Sequence, residues 1–124
     1  MTIHEAISRI DSEYENSYSP ERKIADLSRL DGLIKKNIID KHEGGEGVSF
    51  KGYDENTPAD TMLLVPEPFS DIYVFWLQAW IDYRNGDIDK YNNAIAMYQS
   101  LYDAYHSDYH GAHLPKSKTK LKFW

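Results

Sequence analysis

From Pro68 to Arg84 the chain is apolar on almost every side, and that one segment limits the folds open to the rest. Proline fixes φ and suits the first turn of a helix, so Pro68 predicts a helix start. The residues that follow, Phe69, Ile72, Tyr73, Phe75, Trp76, Leu77, Trp80, Ile81 and Tyr83, spread around the whole circumference of that helix instead of forming a stripe. A helix without a polar face must be covered from several sides. Its most apolar stretch, 72–81, is far shorter than the ~20 residues of a membrane span, so the covering falls to other helices of the same chain and not to lipid. In a chain of 124 residues those helices fit one domain with one core.

The covering helices are legible on both sides. Thr2 and Glu5 have capping-box spacing, and Ile3, Ile7, Ile10 and Tyr14 follow at helical intervals, which predicts a first helix over 2–15. Ser19 before Pro20 predicts the start of a second, with a stripe of Ile24, Leu27, Leu30, Ile34 and Ile38 and with Arg22, Lys23, Arg29, Lys35 and Lys36 mostly opposite. The glycine-rich run 43–47 is expected to end it. Asn85-Gly86 predicts a tight left-handed turn and Asp87 a cap, so the third and fourth helices form a hairpin. The fourth carries Ile88, Tyr91, Ile95, Tyr98, Tyr102, Tyr105 and Tyr109 at three- and four-residue spacing, and Gly111 and Pro115 are expected to close it. Between helices two and three, 48–53 and 61–65 are short enough and apolar enough to pair as a small hairpin. The expectation is therefore an all-α bundle of four main helices over 1–115, with a small β-hairpin between helices 2 and 3 and a basic arm at 116–124.

Charge divides the same way. The net charge is −6, yet residues before 111 hold all 20 acids against ten bases, a balance of −10, while Lys116, Lys118, Lys120 and Lys122 follow without an acid. An acidic body repels nucleic acid, whose affinity comes largely from phosphate neutralisation, so only the arm is a candidate for such contact. Hydrophobic residues at 41% and charged residues at 27% suit a folded domain. The opening Met1-Thr2-Ile3-His4-Glu5 lacks the basic and apolar regions of a secretory signal.

Chemistry is sparse. With no cysteine, thiolate metal sites, disulfides and thiol nucleophiles are excluded. His106, His110 and His113 stand four and three residues apart with Asp103 nearby, a spacing zinc could use, but no HExxH or second ligand cluster accompanies them. Asp87 and Asp89 resemble the start of a calcium loop that fails at its diagnostic glycine and glutamate positions, held here by Asn92 and Tyr98. No P-loop, GxGxxG or GxSxG motif is present. No catalytic, cofactor-binding or metal-binding residues are assigned, and no enzyme activity is expected.

What remains is an excess of aromatic residues, with ten tyrosines and three tryptophans. Trp76 and Trp80, among apolar neighbours, are expected in the core. The tyrosine seam has more polar-tipped rings than a small core easily satisfies, so Tyr98, Tyr102, Tyr105 and Tyr109 are candidate interface residues. Lys116, Lys118, Lys120, Lys122, Phe123 and Trp124 join them, as an arm that orders on a partner. The same arm also fits a solubilising end or a nucleic-acid contact.

The run Leu64-Val65-Pro66-Glu67-Pro68-Phe69, with Asp71-Ile72-Tyr73, Trp76-Leu77, Ile81-Asp82-Tyr83, Asn85-Gly86 and Lys90-Tyr91-Asn92-Asn93, resembles a family of small phage and prophage proteins encoded among head and neck genes. His42-Glu43-Gly44-Gly45 and Phe50-Lys51-Gly52-Tyr53 extend the likeness, which spans 2–115 and leaves out the lysine arm. The family is that of head-tail connector, or adaptor-like, proteins of tailed bacteriophages. The resemblance implies a helical subunit that forms a ring, a dodecamer in the virion neck, assembled in the bacterial host cytoplasm. Its partners would be further copies of itself, the portal protein and another neck or tail protein, with DNA passing through the channel without sequence-specific binding and no membrane involved. An acidic lining would let DNA slide. The arm is expected to dock on the portal. Another neck or tail-completion role, and a small regulatory module that binds protein or DNA, are the alternatives.

Overall fold

The computed structural model describes residues 1–116, and among them the architecture is helical: α1 (Ile3–Glu13), α2 (Pro20–Asn37), α3 (Ile72–Arg84) and α4 (Ile88–Ala112). Single 3-10 turns at Ile39–Lys41 and Gly45–Gly47 follow α2. Capping fixes three of the four starts. The Thr2 hydroxyl accepts from the Glu5 N–H at 3.1 Å while Glu5 accepts from the Thr2 N–H at 3.2 Å. Ser19 caps α2 through the Arg22 N–H and Asp87 caps α4 through the Lys90 N–H, in each case satisfying a backbone donor that the helix leaves free.

α3 is central, as its all-round apolarity requires. Ile72, Tyr73, Val74, Trp76, Leu77, Ala79 and Ile81 are buried. Gly86, at φ +75°, turns the chain tightly enough for α4 to run back along α3. α2 also runs antiparallel to α3, since Asp26 meets Arg84 near one end and Asp31 meets Tyr73 nearer the other. α1 runs parallel to α3, with Arg9 on Asp71 at 2.6 Å and Tyr14 on Asp82. One end of the bundle therefore gathers the last turns of α1 and α3 and the first turns of α2 and α4. The other end gathers the last turns of α2 and α4.

Several boundaries differ from expectation, each for a physical reason. α3 begins at Ile72 and not at Pro68, because 66–72 turns twice on itself first, the Phe69 N–H donating to Pro66 and the Ile72 N–H to Phe69. α2 stops at Asn37, well before the glycine run; Gly45 is instead packed so closely on Ile39 that a Cβ would lie 2.2 Å from its carbonyl oxygen. Gly111 sits inside α4, which runs on to Ala112.

The expected hairpin between 48–53 and 61–65 is absent, and no strand forms among the described residues. Segment 61–65 pairs instead with the first residues: the Ile3 N–H donates to Thr61 and the Leu63 N–H to Met1, both at 3.0 Å. That register buries Leu63 and Val65, a gain that pairing with the more polar 48–53 would forgo. Segment 48–53 lies on α2, where the Tyr53 N–H donates to the Ser28 hydroxyl.

Lys23 is also misplaced by the helical pattern. It is buried, its ammonium held by Asp11 at 2.6 Å and by the Tyr18 carbonyl at 2.9 Å. The α1–α2 connection folds over it, while Asp11 at the end of α1 balances its charge.

Candidate interaction surface

Three buried polar arrangements hold the helices. Asp31, fully buried on α2, accepts from the Tyr53 and Tyr73 hydroxyls at 2.5 Å and from the Leu64 N–H at 3.0 Å. Burial pushes the Asp31 carboxyl above its usual range, and these three hydrogen bonds pull it partly back. Asp26 accepts from both terminal guanidinium nitrogens of Arg84 at 2.7 Å while its backbone carbonyl accepts from the Trp76 indole. His42, also buried, donates through Nδ1 to the Ile38 carbonyl at 2.6 Å, and its Nε2 shares a hydrogen bond with His110 Nδ1 at 3.1 Å.

This geometry sorts the expected interface residues. Tyr98 and Tyr105 are buried, Tyr98 against Trp76 with centroids 4.9 Å apart and Tyr105 against Phe69 at 5.8 Å. Burial pushes the Tyr98 hydroxyl up to about 12 and raises Tyr105 as well. Both belong to the core of this chain, Tyr98 against α3 and Tyr105 against the turn that precedes it. Tyr102 and Tyr109 are half-buried, Tyr109 lying edge-on to His42 and stacked on His113. Lys116 is tied to the body, its N–H donating to Lys41 at 2.8 Å and its ammonium 3.2 Å from Glu46. Lys118, Lys120, Lys122, Phe123 and Trp124 lie outside the described residues.

His106, His110 and His113 do not converge. His106 sits beside Tyr102, His110 meets His42 and His113 stacks on Tyr109. Among the described residues no group of three or more histidines and carboxylates is placed to hold a metal ion.

Sequence patterning missed the surface at the opposite end of α4, around the α3–α4 turn. Trp80 is half-buried, with Trp76 at 5.5 Å, Tyr83 at 5.4 Å and the Arg29 guanidinium 5.5 Å above its ring. Tyr83 packs on Tyr91 at 5.5 Å yet stays 55% exposed, as does Ile88. The buried Trp80 Nε1 has no hydrogen-bond partner among the described residues. Trp, Tyr and Arg grouped with an exposed aliphatic side chain form the composition of an interface anchor. The available signal was that α3 is apolar all round while, among the described residues, three helices cover it, so one sector stays open.

Beside this patch, between the end of α1 and the same turn, is a cleft of about 380 Å³ lined by Tyr14, Glu15, Asp82, Asn85, Asp87 and Lys90. Burial, and then the Asp82 carboxylate, push the Tyr14 hydroxyl up to about 12. Asp82 is 1% exposed; one carboxylate oxygen accepts from Tyr14 and the other has no partner among the described residues.

Compared with known family models, curated proteins and solved structures, the chain has no match.

Proposed function

We propose that the chain is a structural subunit of a tailed-bacteriophage head-tail connector, forming a ring on the portal and offering a platform to the next neck or tail protein. One observation carries the reading: the Trp80–Tyr83–Tyr91 cluster, with Arg29 over it and Ile88 exposed beside it, gives this small domain a ready contact surface. The likeness of 2–115 to connector sequences supports the same role. An acidic body adds to it, since a ring of such subunits would line a channel through which DNA slides. A DNA-binding module is the poorer fit, because the twenty acids of the body oppose phosphate.

The test is co-sedimentation with purified portal complexes. Wild-type protein should travel with the portal, and the Tyr83→Ala/Ile88→Ser variant should be lost from that fraction while keeping its helical circular dichroism. Equal recovery of both proteins would remove the surface from the account.

A further inference from the structure

The cleft at the α3–α4 turn carries an unbalanced charge. Among the described residues, Glu15, Asp82 and Asp87 line it against Lys90 alone, whose ammonium stands 3.8 Å from Asp87. Within it, Asp82 is buried with one oxygen unpartnered. A buried carboxylate oxygen without a donor is costly, and a cationic group entering the cleft beside Tyr14 would relieve it.

The segment after Lys116 has the complementary chemistry. Lys118, Lys120 and Lys122 recur at every second position, so that an extended segment presents three ammonium groups on one side, and Phe123 and Trp124 follow. Exposed Ile88 and Tyr83, next to the cleft, would receive those rings.

The three lysines fall short of the cleft of their own chain. Lys116 is pinned to Lys41, at the level where His42 meets His110. From His110 back to Asp87, the length of α4 is roughly 35 Å at 1.5 Å per residue. Lys122, six residues beyond Lys116, reaches at most about 22 Å, and Trp124 about 29 Å.

We propose, resting on the connector reading above, that the 117–124 segment of one copy docks its lysines in the Glu15–Asp82–Asp87 cleft of the next copy. The neighbouring copy thus takes the place of the portal as the receptor for the arm. Because the arm leaves one end of the bundle and the cleft lies at the other, the contact is head-to-tail. A contact of that kind generates a ring when its rotation closes.

The absence of cysteine in the chain makes the test clean. Full-length Glu15→Cys protein is mixed with full-length Lys120→Cys protein under mild oxidation, with Ser100→Cys, at an exposed position midway along α4, as the control partner. Docking raises local concentration, so the Glu15–Lys120 heterodimer should exceed the control by roughly tenfold. Glu15→Lys should abolish self-association, and mixing it with a Lys118→Glu/Lys120→Glu/Lys122→Glu variant should restore it. Heterodimer at the control level, or a Glu15→Cys/Lys120→Cys double variant that closes within one chain at high dilution, overturns the proposal. Portal binding by the wild type is followed in parallel. Portal bound without the cross-link rejects the arm contact alone, whereas loss of portal binding rejects the connector reading.

Discussion

Replacing Asp31 by alanine should be among the most damaging single changes the fold can suffer, and the structure indicates by how much. The carboxylate is fully buried and accepts three hydrogen bonds, from Tyr53, Tyr73 and the Leu64 N–H. Tyr53 is half-exposed and can turn to water. The Tyr73 hydroxyl, which still accepts from the Val65 N–H at 2.7 Å, and the Leu64 N–H both lose their acceptor. At ~1–3 kcal/mol for each orphaned donor, less the relief from removing a poorly solvated carboxylate, the loss comes to about 3 kcal/mol. That is a large share of the ~5–15 kcal/mol that holds a domain of this size together. Urea unfolding followed by tryptophan fluorescence reads it directly, as an earlier midpoint at unchanged slope.

The Asp31→Asn protein then isolates the charge. Burial raises the folded-state pKa of Asp31 above its ordinary value of 3.8, so the fold favours the protonated carboxyl. The Asp31 contribution is therefore greatest at low pH and is lost as pH rises from 3.8 through the raised value. The stability of wild type minus that of Asp31→Asn should fall across that interval and stay level above it. A difference that grows with pH, or an Asp31→Ala loss under about 1 kcal/mol, would refute the reasoning.

Other perturbations test other parts of the account. Arg84→Ala leaves Asp26, which is almost wholly buried, without its partner and should cost about 3 kcal/mol in the same assay, the low end for a broken buried pair. Tyr98→Ala should cost roughly 3–5 kcal/mol because its ring is core, while Tyr83→Ala, at an exposed position, should change stability by less than about 0.5 kcal/mol. Equal losses at the two tyrosines would contradict their assignment to core and surface. Thr2→Ala removes the α1 cap and should cost about 1 kcal/mol, seen as faster amide exchange in the first turn of that helix.

The helices were legible because local chemistry announces them. Thr2 with Glu5, Ser19 with Pro20, and Asn85-Gly86-Asp87 each specify a backbone conformation within a few residues, and each stands where that chemistry puts it. The partner of 61–65 was not legible. Its short apolar run signalled an extended segment, but the choice between 48–53 and Met1–Ile3 rested on burial of Leu63 and Val65 in a core assembled from distant elements. The candidate surface was illegible for a similar reason. Tyrosine spacing along α4 shows that the rings share a face, but it cannot say that α3 occupies that face and takes Tyr98 and Tyr105 into the core. Likewise, the bareness of Tyr83 and Ile88 emerges only once α1, α2 and α4 have taken their places around α3.

Electron microscopy of the protein mixed with purified portal complexes tests the assembly role most directly. The account predicts an added collar of density on the portal, with the Trp80–Tyr83–Tyr91 face of each subunit against a neighbour. Portal particles without added density, at protein concentrations that saturate every other contact tested, would contradict it.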